Sequence, residues 1–211
     1  MQVKKDYTHN LIVTVARQVF LKKGYVKASM RDIAKGAGIG VSNLYNYFKG
    51  KDELFRYVVM PLINEMERMM RNHHSVKEQE QFLHYVIDDV GDCNELMATQ
   101  VREYMKLIHN YRDELKLILY KAQGSSLETF IDDYTDACTQ QVLAFMNELK
   151  DHYPSRVVTH PSFTYHVHTV WMFSFISEVI KHQLSSSETK HAIEDYIWFE
   201  IMGWSALMNH H

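Results

Sequence analysis

The chain has 211 residues, of which 46% are hydrophobic and 23% charged, with only 3 prolines. That length allows one large domain or a small one joined to a larger one, and the composition supplies a core and excludes a disordered chain. The net charge of −3 argues by itself against a polyanionic partner, but its distribution points the other way. Residues 1–51 carry ten basic side chains against two acidic, a balance of +8, and residues 52–211 carry thirteen against twenty-four, a balance of −11. A basic head on an acidic body fits a protein that docks one end on nucleic acid; the competing reading is a solubilising face. Apolar runs are short and interrupted, so no membrane span is expected. The opening MQVKKDYTHN offers lysines but no secretory core behind them, and the chain reads as cytoplasmic. Cys93 and Cys138 stand alone, without the spacing of a metal knuckle or a disulfide framework.

The first helix is predicted from about Thr8 to Lys23, because Leu11, Ile12, Val15, Ala16, Val19 and Phe20 share one face. Gly24 ends it as a left-handed cap behind Lys22 and Lys23, and Tyr25 and Val26 fold back on the core. Ser29 caps a second helix with Asp32 three residues on, close to a capping box. Ile33, Ala34 and Ala37 form its buried stripe, and Gly36 and Gly38 stop it. A third helix starts near Val41, anchored by Leu44 and Phe48, with Ser42, Asn43, Asn46 and Tyr47 mostly outward.

Gly50 precedes a long fourth helix from Lys51, bearing Leu54, Phe55, Val58, Val59, Leu62, Ile63, Met66 and Met70. Pro61 within it removes a hydrogen bond to the Tyr57 carbonyl and is expected to kink it. His73–Ser75 reads as the following turn. Helical stripes continue through Phe82, Tyr85, Val86 and Ile87 to Gly91, then Leu96, Val101, Tyr104, Met105 and Ile108, then Leu115, Ile118 and Leu119. Gly124-Ser125-Ser126 punctuates the chain before a helix from Leu127 to Lys150, and residues 153–161 read as a loop. No alternating run of strand length occurs, so the fold class is all-α.

The last third is apolar on most faces. Helices are predicted over Phe163–Leu184 and Glu188–Met208, and a helix greasy all round must be covered all round. This hairpin reads as a homodimer interface built as a four-helix bundle, with Trp171, Phe175, Val179, Trp198, Ile201, Met202 and Ser205 at the contact. The alternative is ordinary core at the end of a bundle.

The stretch SMRDIAKGAGIGVSNLYNYFKGKDELF places a short polar helix, with lysines close behind it, where a helix can enter the major groove. It resembles the DNA-binding signature of the TetR family of transcriptional regulators, over about residues 8 to 60. The matching positions are Ile33-Ala34, Ala37-Gly38, Leu44-Tyr45, Tyr47-Phe48, Lys51 and Leu54-Phe55. The resemblance implies that Ser29 and Arg31 meet the DNA backbone and sometimes a base. It implies that Val41, Ser42 and Asn43 open the base-reading helix, that Tyr45 and Tyr47 touch phosphate, and that Lys51 pairs with phosphate. The chemistry agrees: Asn reads adenine, Ser contacts any base and Val packs on a thymine methyl; Asn46 lies on the same exposed stretch. The sequence departs from the family at Gly40, where a Ser or Thr caps the recognition helix, and at Ser42-Asn43, where Gly-Thr or Gly-Ser is common. The cap is therefore weaker, or Ser42 takes it over.

The thirteen histidines suggest metal chemistry, but no two are three or four residues apart, so no helix presents a chelating pair. His166 and His168 lie two apart, on different sides of a helix. Surface or polar-core histidine is the better reading, and His210-His211 are native or a tag remnant. No nucleophile elbow, phosphate loop or dinucleotide fingerprint occurs; the reading is no enzyme, no cofactor and no metal. The resemblance also implies a small-molecule site in the body, for which Tyr85, Met97, Tyr104, Met105, Tyr120, Phe130, Tyr134 and Trp171 are candidates, since tyrosines on inward stripes supply bulk with a polar handle. The expected protein is thus a helix-turn-helix DNA-binding domain over 1–52 and a helical effector-binding and dimerisation domain over 53–211. Its partners would be a palindromic DNA operator, a second copy and an unidentified small molecule, in a repressor released by ligand. The rival is a helical protein–protein adaptor without sequence-specific DNA binding; a weaker rival is a small-molecule hydrolase.

Overall fold

The computed structural model describes residues 2–72, 80–81, 83–88 and 93–209. Expectations for His73–Ser75, Phe82, Gly91 and His210-His211 fall outside them. The described helices are α1 (Gln2–Lys27), α2 (Met30–Gly36), α3 (Val41–Tyr45), α4 (Lys51–Asn72), a π-helical segment (Leu83–Asp88), α5 (Asn94–Asn110), α6 (Arg112–Tyr120), α7 (Phe130–His152), α8 (Ser162–Lys181) and α9 (Ser186–Asn209). Among the described residues there is no strand, as the sequence led us to expect. Helix α1 begins six residues earlier than periodicity placed it, because its first turns carry no apolar stripe to mark them. The π-helical segment was not anticipated.

The chain forms two compact units, Met1–Asn64 with Tyr111–Ile131, and Glu65–Asn110 with Asp132–His211. In the first, Ile12, Ala16 and Phe20 of α1, Ile33 and Ala34 of α2, Leu44 of α3 and Leu54, Phe55, Val58 and Leu62 of α4 are buried, together with Leu115, Leu117 and Ile118 of α6. Phe20 meets Phe55 edge-on at 5.0 Å between centroids. Helices α1 and α2 pack so closely that a Cβ on Gly36 would stand 2.7 Å from a Val15 methyl, so a side chain there would push them apart. Gly24 interrupts α1 with φ of 73°, a conformation that costs other residues about 1 kcal/mol or more. The chain beyond it turns back as expected: Tyr25 stacks on Phe20 and meets Phe55 edge-on, whereas Val26 stays exposed. Helix α4 is continuous across Pro61.

The second unit is built on Leu83, Phe145, Met146, Leu149, Val157, Tyr165 and Met208. Tyr134 donates from its hydroxyl to the Met66 carbonyl at 2.8 Å and meets Phe173 edge-on. Glu65 on α4 accepts from Arg68 through both guanidinium contacts at 3.0 Å and from Lys106 of α5 at 3.0 Å. The Arg68 guanidinium is the main reason its carboxyl is held down at about 2, against the opposing effect of burial.

Candidate nucleic-acid interface and helical body

The capping box at α2 is complete. Ser29 Oγ accepts from the Asp32 amide at 3.1 Å and donates to Asp32 Oδ2 at 2.7 Å, while the Ser29 amide donates to the same carboxylate at 3.2 Å. Lys23 adds an ion pair to Asp32 at 2.9 Å. Lys23 and the cap hydroxyl hold the Asp32 carboxyl below its usual range. The Ser29 hydroxyl is therefore engaged in starting α2.

Helix α3 starts at Val41 with Gly40 as its cap and no side-chain hydrogen bond, so Ser42 does not take over the cap. Leu44 and Phe48 are buried, anchoring the helix and the turn after it. Ser42, Asn43, Tyr45 and Asn46 are exposed, and Val41 and Tyr47 are half-buried. Asn46 Nδ2 donates weakly to Asn43 Oδ1 at 3.4 Å, a contact that either side chain can break at little cost on meeting a base. Tyr47 lies near His9 of α1, whose ring also packs on Phe48 and Tyr57 at 5.2 and 4.9 Å. This α1 histidine was not singled out from the sequence, where the histidines were weighed as metal or catalytic groups against surface or polar-core residues. Arg31 is exposed on α2. The exposed side chains of this stretch are thus Ser42, Asn43, Tyr45 and Asn46, with Val41 and Tyr47 beside them.

Lys51 is engaged within the first unit. Its ammonium donates to the carbonyls of Tyr25 at 2.8 Å, Ala28 at 3.0 Å and Val26 at 3.4 Å, and sits 4.1 Å above the Tyr25 ring. Arg17 is likewise turned inward, 3.0 Å from the buried carboxylate of Glu114 on α6. Lys23, Arg17 and Lys51 of the head thus make contacts inside the fold.

In the second unit the aromatic candidates separate. Tyr104 and Tyr134 are buried, and Tyr85, Met97 and Met105 are half-buried. Trp171 is exposed; Tyr120 and Phe130 belong to the first unit, where Tyr120 is exposed and Phe130 half-buried. Helical spacing could not tell those last three from inward tyrosines, because it gives a face and not the partner of that face. A polar cluster that sequence reasoning passed over lies between α8 and α9: His168 Nε2 is 2.7 Å from Glu200 Oε2, with Trp204 Nε1 at 3.4 Å. Burial raises the Glu200 carboxyl to about 7 and lowers His168 to about 4, and His168 itself is half-buried. Among the described residues, no group of three or more His, Cys, Asp or Glu is placed to hold a metal ion. Burial also pushes the Cys138 thiol up to about 11, leaving it a poor nucleophile at neutral pH.

The α8 and α9 helices carry two stripes each. Phe173, Ile176, Val179 and Ile180 of α8 and Ile193, Tyr196, Ile197 and Ile201 of α9 are buried within the unit. Phe163, Val167, Val170 and Trp171, with Trp198, Phe199, Met202 and Leu207, are exposed. Val179 and Ile201, assigned from sequence to a subunit contact, are therefore core. Val167, Val170, Phe199 and Leu207 belong to the apolar hairpin read from sequence but were not named at the contact, and Phe163 was read only as a helix start, although 163, 167, 170 and 171 follow the i, i+4, i+7, i+8 spacing of a second face. Phe175 and Ser205 are half-buried. Trp171 meets Phe199 edge-on at 5.0 Å, joining the outer stripes of the two helices.

Residues 12–58 match the family model described as bacterial regulatory proteins, tetR family. The whole chain is similar in fold to solved regulators. A transcriptional regulator of the TerR/AcrR family from Aquifex aeolicus VF5 superposes with a TM-score of 0.57 at 15% identity, over 90% of this chain and 97% of that one. A member of the TetR transcriptional regulator family from Streptomyces coelicolor A3 gives 0.58 at 20% identity, over 92% and 90%. NalD, the secondary repressor of the MexAB-OprM multidrug efflux pump in Pseudomonas aeruginosa, gives 0.51 at 18% identity, over 92% and 95%.

Proposed function

We propose that this chain, which carries the tetR-family N-terminal domain on the fold of that family's regulators, is a dimeric, ligand-responsive transcriptional repressor acting in the cytoplasm. The observation that carries this reading is the exposed edge of α3, where Ser42 and Asn43 face solvent on a helix anchored by Leu44 and Phe48. Residues 1–52 are its DNA-binding domain. Asn43 and Ser42 read base edges, Val41 packs on a thymine methyl, and Arg31, Tyr45, Asn46 and Tyr47 contact the backbone. Two heads spaced by one helical turn or a multiple of it read a palindrome.

Dimerisation is supported by the outer apolar stripe of α8 and α9, which a soluble monomer would leave in water. The effector site is assigned to the body over 53–211, where the buried tyrosines Tyr104 and Tyr134 combine bulk with polar hydroxyls. An effector releases DNA by binding the non-operator state better, since equal affinity shifts nothing. Repression is the sign by likeness to NalD. The chain is proposed to need no cofactor and to catalyse no reaction.

The test is to sequence DNA captured by the purified protein from a random pool. A palindromic consensus is expected. Asn43→Ala should relax preference at one position per half-site by about 1–3 kcal/mol, whereas Tyr47→Phe should weaken binding evenly across sequences. Recovery of no enriched sequence would overturn the reading and favour a protein–protein adaptor.

A further inference from the structure

We propose that His9 of α1 is a DNA-backbone contact, its imidazolium pairing with a phosphate beside Tyr47. The proposal rests on the DNA-binding reading above and adds to it a residue from outside the α2–α3 pair. His9 stands three residues before Ile12, where the buried stripe of α1 begins. Its ring is packed on three sides. Tyr57 of α4 meets it edge-on at 4.9 Å between centroids, Phe48 lies at 5.2 Å and Tyr47 at 6.4 Å. Those contacts fix the plane of the ring. Among the described residues neither ring nitrogen makes a hydrogen bond to the chain, and neither is sealed from solvent. Phenylalanine would fill the same gap between α1 and α4. What imidazole adds is two nitrogen positions, both donors in the protonated form, held next to Tyr47.

The surroundings suit a cation waiting for an anion. Aromatic faces attract an imidazolium. The titratable groups that face the ring from other elements are the phenols of Tyr47 and Tyr57. Glu53, a turn before Tyr57, accepts from the Lys49 amide. On α1 itself, exposed Lys5 and Asp6 lie about one turn before His9 and are of opposite sign. Among the described residues no carboxylate stands in ion-pair reach of the ring, so the neutralising charge comes from outside the chain. The phosphodiester assigned to Tyr47 supplies it. A phosphate beside the ring favours the protonated form, so binding takes up protons and affinity falls as pH rises.

Salt and pH separate this contact from a packing role. His9→Phe keeps the aromatic packing and removes both nitrogens; His9→Gln keeps a donor that cannot be charged. The probe is a duplex chosen from the captured pool, first at about pH 6, on the acid side of the ordinary imidazole range. There His9→Phe should lose about tenfold or more in affinity, the worth of a hydrogen bond between charged groups. Its salt slope should be shallower by about 0.9 per head. The loss should shrink at about pH 8. His9→Gln should show a pH profile less steep than that of the wild type. Wild-type affinity, salt slope and pH profile in His9→Phe would overturn the proposal and leave His9 a packing residue. Should His9→Phe fail to fold, His9→Gln decides: a wild-type pH profile overturns the proposal and a shallower one supports it. If the wild-type chain binds no DNA at either pH, the functional reading fails and takes the proposal with it; wild-type binding matched by both variants defeats the proposal alone.

Discussion

Replacing Leu44 by alanine tests whether the recognition edge depends on its anchor. Leu44 is fully buried, so the whole transfer term applies: loss of its isopropyl group at ~0.8 kcal/mol per carbon is about 2.4 kcal/mol. A residual cavity raises the cost to about 3–4 kcal/mol. Helix α3 has five residues and no side-chain cap, and a helix that short is not stable alone. Ser42, Asn43, Tyr45 and Asn46 are exposed and contribute little burial. The loss should therefore appear first in α3 itself. Urea unfolding with amide exchange is the assay, reading the Leu44 amide bonded to Gly40 and the Tyr47 and Phe48 amides bonded to Leu44. Those amides should exchange early, and DNA affinity should fall roughly a hundredfold, at about 1.4 kcal/mol per decade. A loss below about 1 kcal/mol with α3 still protected would show that Leu44 does not hold the helix.

Two further outcomes follow from the second unit. Glu65 is held at about 2, first by Arg68, whereas an unfolded glutamate titrates near about 4.3. A carboxyl depressed on folding stabilises above the unfolded value and loses that contribution as pH falls from about 5 towards 2. Glu65→Gln should therefore be less stable than wild type at pH 7, with the gap closing on acidification; parallel acid-unfolding curves would contradict the assignment. Trp198→Asp places a charge on the outer stripe and should yield a folded monomer by sedimentation equilibrium. Val179→Asp, at a buried position, should unfold the unit. A dimeric Trp198→Asp protein would move the interface elsewhere.

The helix-turn-helix was readable because its signals are local. The Ser29–Asp32 cap, the break at Gly24 and the inward pair Leu44 and Phe48 each act within four residues or on a single backbone angle, and the structure shows all of them. The body was readable only as to class. Tyr120 and Tyr134 sit on similar apolar stripes, yet one is exposed and the other buried, since a stripe does not name what it packs against. The α8–α9 hairpin misled in the same way, because helices apolar on two faces offer no contrast from which to choose the inner one.

What the chain's order of residues determined, then, is an all-helical protein with a charged head and a short helix whose polar edge faces outward. Periodicity and capping suffice for that, because they are interactions between near neighbours. Tertiary structure alone decided which cations are engaged within the fold. Lys51 reaches carbonyls 23 to 26 residues away, Arg17 finds Glu114, and Asp52 meets Ser126 across 74 residues. Before folding every lysine of the head is equivalent; only packing decides which carbonyls are left without donors and which ammonium lies close enough to serve them.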